Sequence, residues 1–182
     1  HKEVCELLIE KGADVNAVNE DGWTALMIAA GNGHKEMCEL LIEKGVDVNA
    51  VDENKWTALM YAASNGYKEV CEMLIEKGTD VNAVDEDGWT ALMIAAVTDK
   101  GLCKLLIEKG AEVNAVDEYG RTPLTIAAEN GHKEVCELLI EKGADVNAVE
   151  EDGGTALMVA AEYGHKEVCE LLIEKGADVN AV

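Results

Sequence analysis

Residues 19–51 read NEDGWTALMIAAGNGHKEMCELLIEKGVDVNAV, and the same string, lightly edited, fills the chain. The triplet EKG begins at Glu10, Glu43, Glu76, Glu108, Glu141 and Glu174. The string VNAV ends at Val18, Val51, Val84, Val116, Val149 and Val182, with gaps of 33, 33, 32, 33 and 33 residues. A fixed period of this size is the mark of a repeat architecture. The chain divides into a partial repeat, 1–18, and complete repeats 19–51, 52–84, 85–116, 117–149 and 150–182. No linker or composition shift interrupts them, so a single domain over 1–182 is expected.

Within 19–51, Thr24 precedes the apolar run Ala25 to Ala30. Its hydroxyl can accept from an orphan amide, so it reads as a helix N-cap. Gly31-Asn32-Gly33 ends that helix in a turn. A second helix is expected from about His34 to Lys44, with Met37, Cys38, Leu40, Leu41 and Ile42 at helical spacing. Gly45 supplies a left-handed stop. Two helices this short cannot bury their own apolar faces. Stacked copies can, each covering the next, which predicts an all-α solenoid.

The pattern D-x-D-G-W-T-A-L-M-I-A-A, followed by G-H-K-E-V-C-E-L-L-I-E-K-G-A-D-V-N-A-V, resembles the ankyrin repeat and recurs across the whole chain. The resemblance implies an ankyrin-repeat α-solenoid: helix-turn-helix repeats, each with a β-turn finger, stacked as a curved array. It also implies non-catalytic protein recognition. Three departures bear on structure. Met27, Met60, Met93 and Met158, and Thr125, stand where the family has His, and a Met there is expected only to pack. Lys55 replaces a fingertip Gly, so a distorted finger is expected. The repeat 85–116 lacks one residue around Val97-Thr98-Asp99-Lys100, which predicts a shorter turn between its helices.

Charge sharpens the functional reading. The 182 residues carry 15 Lys and Arg against 37 Asp and Glu, a net of -22. Nucleic acid is excluded as a partner, because phosphate counterions are displaced by basic side chains. An anionic membrane surface is excluded on the same ground, and no apolar run is long enough to span a bilayer. No signal-peptide pattern opens the sequence, so a cytoplasmic protein is expected. Catalysis has no footing: there is no phosphate loop, no G-x-S-x-G and no H-E-x-x-H, and no cofactor is expected.

Cys5, Cys38, Cys71, Cys103, Cys136 and Cys169 hold equivalent places on the apolar face of the second helices. Helix spacings of roughly 8–10 Å are too wide for disulfides between them, which need Cα atoms within about 7 Å. Buried free thiols are expected, in keeping with a reducing compartment. The i,i+4 pairs His1/Cys5, His34/Cys38, His132/Cys136 and His165/Cys169 offer two ligands each, too few for a zinc shell. These His residues are expected to order their own turns.

In repeats this alike, the differences are informative. After the fingertip the series is Trp23, Trp56, Trp89, Arg121, Gly154. Two places earlier it is Asp21, Asn54, Asp87, Tyr119, Asp152, and at the end of the first helix it is Asn32, Asn65, Thr98, Asn130, Tyr163. The family resemblance puts these places on a concave binding face. An exposed Trp flanked by Glu20, Glu53 or Glu86 suits a Lys or Arg through cation–π and charge attraction. The plainer alternative is that each Trp stiffens the row of fingers. Tyr61 is expected in the core, because its equivalents are Ile28, Ile94, Ile126 and Val159. The expected function is recognition of a basic protein or peptide by an acidic, Trp-bearing face, with Trp56→Ala abolishing binding at little cost in stability. The alternatives are a structural spacer whose apolar ends stack end to end, and a targeting arm of a longer protein.

Overall fold

A computed structural model describes residues 2–181, Lys2 by its backbone. Two compact units divide the chain, His1–Glu86 and Asp87–Val182. The N-terminal unit contains α1 (Lys2–Glu10), α2 (Ala25–Gly31), α3 (Lys35–Glu43), α4 (Ala58–Ser64) and α5 (Lys68–Glu76). The C-terminal unit contains α6 (Ala91–Ala96), α7 (Lys100–Glu108), α8 (Pro123–Glu129), α9 (Lys133–Glu141), α10 (Ala156–Glu162) and α11 (Lys166–Glu174). The fold is all-α. Among the described residues the β structure is confined to isolated bridges, including the antiparallel pairs Val18 to Thr24, Val51 to Thr57 and Val149 to Thr155, which close fingers.

First helices of six or seven residues are too short to persist alone. Each is fixed at its start by a Thr: the hydroxyls of Thr24, Thr57, Thr90, Thr122 and Thr155 accept from the third amide of the helix that follows. Packing does the rest. In the N-terminal unit α2 lies against α3 and α4, α4 against α5, and α3 against α1 and α5. In the C-terminal unit α8 lies against α6, α9 and α10, and α9 against α7 and α11. Leu26, Met27, Leu59, Met60 and Leu74 are sealed in the first unit, and Leu102, Leu106, Leu124, Ile126 and Leu139 in the second. Cys38, Cys71, Cys103 and Cys136 are buried among them as free thiols, and burial pushes each up to about 12. Cys5 and Cys169 are only half-buried, because each lies on the outermost helix of its unit, with a neighbour on one side alone.

The VNAV asparagines join one repeat to the next. Asn16 Oδ1 accepts from the Asp47 amide and Asn49 Oδ1 from the Asp80 amide, both at 2.9 Å. In the second unit Asn114 accepts from Asp145 N at 2.9 Å and donates to Gly143 O at 3.0 Å. Asn147 accepts from Asp178 N at 2.8 Å and donates to Gly176 O at 3.2 Å. Fingers are also tied by their backbones: Glu86 N donates to Asn54 O, Glu118 N to Asp87 O and Glu151 N to Tyr119 O, at 2.9–3.1 Å.

Four expectations are corrected here. Met27 does more than pack, because its sulfur accepts from the Thr24 amide at 3.4 Å and completes a capping box. The Lys55 finger is not distorted. Lys55 adopts φ +62°, close to the +78° and +84° of Gly22 and Gly88, and the finger keeps its bridge and its bond to Glu86. The residue missing from 85–116 comes out of the first helix, which has six residues instead of seven, while the turn keeps its three. That turn holds no left-handed glycine, and Asp99 caps α7 by accepting from the Gly101 amide at 2.6 Å. Finally, His132 and His165 do not order their own turns. Their Nε2 atoms meet Val97 O and Glu129 O of the preceding repeat, each at 2.8 Å. His165 lies so close that a Cβ on Gly131 would stand 2.6 Å from its ring, so that glycine is required for clearance as well as for its φ of +71°. His1 of the His1/Cys5 pair lies outside the described residues. Among those described, no three His, Cys, Asp or Glu side chains gather as metal ligands.

Candidate functional site

In the N-terminal unit the site is built on Asp52, the first residue of its finger. The carboxylate is buried, and Oδ1 accepts the amides of Asn54 and Trp56 at 3.0 and 2.8 Å. This holds the finger in the turn that an Asp side chain favours. Oδ2 accepts the phenol of Tyr61 from α4. The Tyr61 ring is wedged between two indoles, 4.6 Å from Trp23 and 5.2 Å from Trp56, tilted by 54° and 53°. Such tilted pairs are the favoured aromatic geometry. Trp56 Nε1 donates to Asp85 Oδ2 at 3.0 Å. Burial first, then the bond to Asp52 and the charges of Asp52 and Asp21, raise the Tyr61 phenol above its usual range.

A shallow groove of about 350 Å³ runs along this cluster, lined by Trp23, Ile28, Asn32, Trp56, Tyr61 and Asn65 among others. Ile28 is 46 % exposed at this groove, although its equivalents Ile94 and Ile126 are buried. Tyr61 is therefore not a core residue. A phenol could not be buried where an Ile packs without a partner for its hydroxyl, and at this position it reaches the finger carboxylate instead.

The C-terminal unit uses the same finger chemistry with different side chains. Asp117 Oδ1 accepts the amides of Tyr119 and Arg121 at 3.0 and 2.9 Å. Its Oδ2 receives Arg121 Nε and Nη2, both at 2.7 Å. The guanidinium carbon lies 5.4 Å from the Trp89 ring centre and 5.3 Å from that of Tyr119. Trp89 thus holds a cation, as its residue type and neighbourhood suggested, and the cation is the chain's own Arg121. Beside Arg121 lies a cavity of about 490 Å³, lined by Tyr119, Arg121, Glu150, Glu151 and Asp152. Burial raises the Glu150 carboxyl above its usual range, partly offset by a bond to Thr125.

The remaining site residues fall into two groups. Asp21, Asn54, Asp87 and Tyr119 are exposed on the fingers. Asn32, Asn65 and Asn130 are exposed helix ends, whose Nδ2 atoms donate to the carbonyls of Ile28, Tyr61 and Ile126 at 2.7, 3.0 and 2.9 Å. Thr98 Oγ1 similarly donates to Ala95 O at 3.3 Å. Tyr163 is 57 % exposed and stacks on His165 at 6.4 Å. Trp23, Trp56 and Trp89 are half-buried and engaged by neighbours, so they are not free anchors. Tyr61 and Ile28 were missed as site residues; the only signal in the sequence was a Tyr in a column of aliphatics.

The family model for ankyrin repeats (3 copies) matches residues 1–85, 51–117, 79–150 and 99–182. The chain belongs to the ankyrin-repeat family. Comparison with curated proteins found no match. Ankyrin repeats generally act as protein–protein interaction modules, which agrees with a groove open beside the fingers of the N-terminal unit. No helix among the described residues is long and apolar enough to cross a membrane.

Proposed function

We propose that this ankyrin-repeat chain is a non-enzymatic recognition module for a basic protein or peptide. In the N-terminal unit the partner lies along the groove at Ile28, Tyr61, Trp23 and Trp56. The observation that carries this reading is Ile28, a large aliphatic side chain left open beside a packed aromatic cluster and near Asp21. Exposed apolar surface rimmed by charge is characteristic of interaction sites. The net charge of -22 adds steering for a cationic partner. Asp21, Asn54, Asn32 and Asn65 form the polar surroundings of this groove, and Asp87, Tyr119, Thr98, Asn130, Tyr163, Arg121 and Trp89 form the corresponding surface of the second unit. The buried thiols suit a cytoplasmic setting.

The test is selection from a random peptide library displayed on phage. The expected result is enrichment of Lys- and Arg-rich peptides with an apolar residue among the basic ones, and affinity that falls as salt rises. Enrichment of acidic peptides, or salt-independent binding, would contradict it.

A second reading, self-association, is favoured by one observation. Val4, Leu7 and Leu8 on α1 are each 54 % exposed, whereas Leu40 and Leu41 at equivalent places are 4 % and 3 % exposed. Under this reading sedimentation shows oligomers that grow with concentration, and a strict monomer at high concentration excludes it.

A further inference from the structure

Five departures from the repeat pattern meet at one place in the C-terminal unit. Tyr119 stands for Asp or Asn, Arg121 for Trp, Thr125 for Met, Glu150 for Asp, and Gly154 for Trp or Arg. Tyr119, Arg121 and Glu150 line the cavity of about 490 Å³, and Thr125 is near enough to act on the Glu150 carboxyl. A Cβ on Gly154 would start 3.0 Å from Asp152 Oδ1 and 3.5 Å from Glu150 Oε2, both on residues of that lining. Gly154 itself lines a second cavity of about 430 Å³, which shares Glu150 and Asp152 with the first, so a longer residue 154 would extend into space beside these two carboxylates.

One repeat earlier the equivalent space is filled, and its occupant is a guanidinium. Arg121 bonds the carboxylate four residues before it, Asp117, and lies over the finger residue of the preceding repeat, Trp89, and over Tyr119. At Gly154 the carboxylate four residues before is Glu150, and Tyr119 and Arg121 supply the preceding finger. Arg121 bonds Asp117 and also acts on Glu150, but its single charge is outnumbered by the three carboxylates of Glu150, Glu151 and Asp152. Acidity alone would describe every fingertip of this chain. What distinguishes this one is a missing side chain in the column where the preceding repeat carries Arg121, with Arg121 and Asp152 standing where that repeat has Trp89 and Tyr119.

We propose that the space left by Gly154 takes the guanidinium of an arginine side chain from a partner protein. The proposal rests on the recognition reading above and names a second contact, in the other unit. Arginine is favoured over lysine, because a planar fork can pair with both oxygens of Glu150, which a compact ammonium cannot do.

The probe is the blocked peptide acetyl-Gly-Arg-Gly-amide, titrated into the 182-residue protein and followed by amide NMR shifts, with the lysine peptide as control. Amides of Asp152, Gly153 and Gly154 are expected to shift, with arginine binding about threefold tighter than lysine. Gly154→Arg fills that space from within and should weaken binding about tenfold or more, whereas Gly154→Ala leaves it open and should stay within about twofold. Undiminished binding by Gly154→Arg, with a thermal unfolding curve like that of wild type, overturns the proposal. Shifts confined to the amides around Ile28, Trp56 and Tyr61 overturn it too while leaving the recognition reading intact. No shift in either unit counts against both.

Discussion

Replacing Trp56 with Ala should destabilise the protein substantially, contrary to the expectation from sequence that it would be a clean binding mutant. Two interactions are lost. The indole N–H donates to Asp85, a carboxylate only 7 % exposed. A bond to a charged group contributes about 1.5–3 kcal/mol. The ring pair with Tyr61, at 5.2 Å, adds about 0.5–1.5 kcal/mol. Because the indole is half-buried, part of each is recovered by water, and the net cost is about 2–4 kcal/mol. In a chain of this length each kcal/mol shifts Tm by about 2–4 °C, so a drop of about 5–15 °C is expected. Trp56→Phe keeps the ring and loses the N–H, and should cost about half as much. Urea unfolding followed by circular dichroism, with a thermal scan, measures both. A Trp56→Ala protein within about 0.5 kcal/mol of wild type would refute the assignment of Trp56 as a structural link between fingers.

Three other outcomes follow from single features. Lys55→Gly should stabilise by about 0.5–1 kcal/mol in the same urea assay, because Lys55 is the one described non-glycine residue with positive φ, and relief of that conformation exceeds the chain entropy glycine adds. Thr79 Oγ1 is buried with no hydrogen-bond partner, where Val46 and Ala111 stand in other repeats, so Thr79→Val should gain about 1–2 kcal/mol; a loss would show that the hydroxyl is satisfied. The thiols of Cys38, Cys71, Cys103 and Cys136 are raised in the fold to about 12 from 9.0, so their contribution is complete below the unfolded value and is lost as pH climbs towards the folded one. The urea midpoint of wild type should therefore fall between about pH 9 and 12 more steeply than that of a variant with these four changed to Ala, and parallel curves would contradict the burial of the thiols.

What was legible in the sequence was local. Thr24 as a cap and Gly45 as a left-handed stop depend on neighbours within one turn, and both stand as expected, with Gly45 at φ +89°. The stacking followed from the period, since short apolar helices must be covered by something. Contacts between repeats were not legible. The Asn49 bond to Asp80 spans 31 positions, and the His132 bond to Val97 spans 35. Nothing in the local pattern marks an Asn in VNAV as a bridge. The candidate site was half visible. Its Trp and Arg positions stood out as variation, but Tyr61 hid in a column of aliphatic residues, and nothing in the local pattern marked Asp52 as its partner. Lys55 misled because residue type was weighed above the φ that the finger turn requires, which Lys55 adopts as Gly22 and Gly88 do.

Recognition through the open groove of the N-terminal unit is tested most directly by Ile28→Ala. Its side chain is 46 % exposed, so truncation should cost under about 1 kcal/mol of stability. With a basic peptide from the library selection, calorimetry should show affinity falling about tenfold while Tm stays within a few degrees of wild type. Unchanged affinity in a fully folded Ile28→Ala protein would place the partner elsewhere and contradict the groove as the site of recognition.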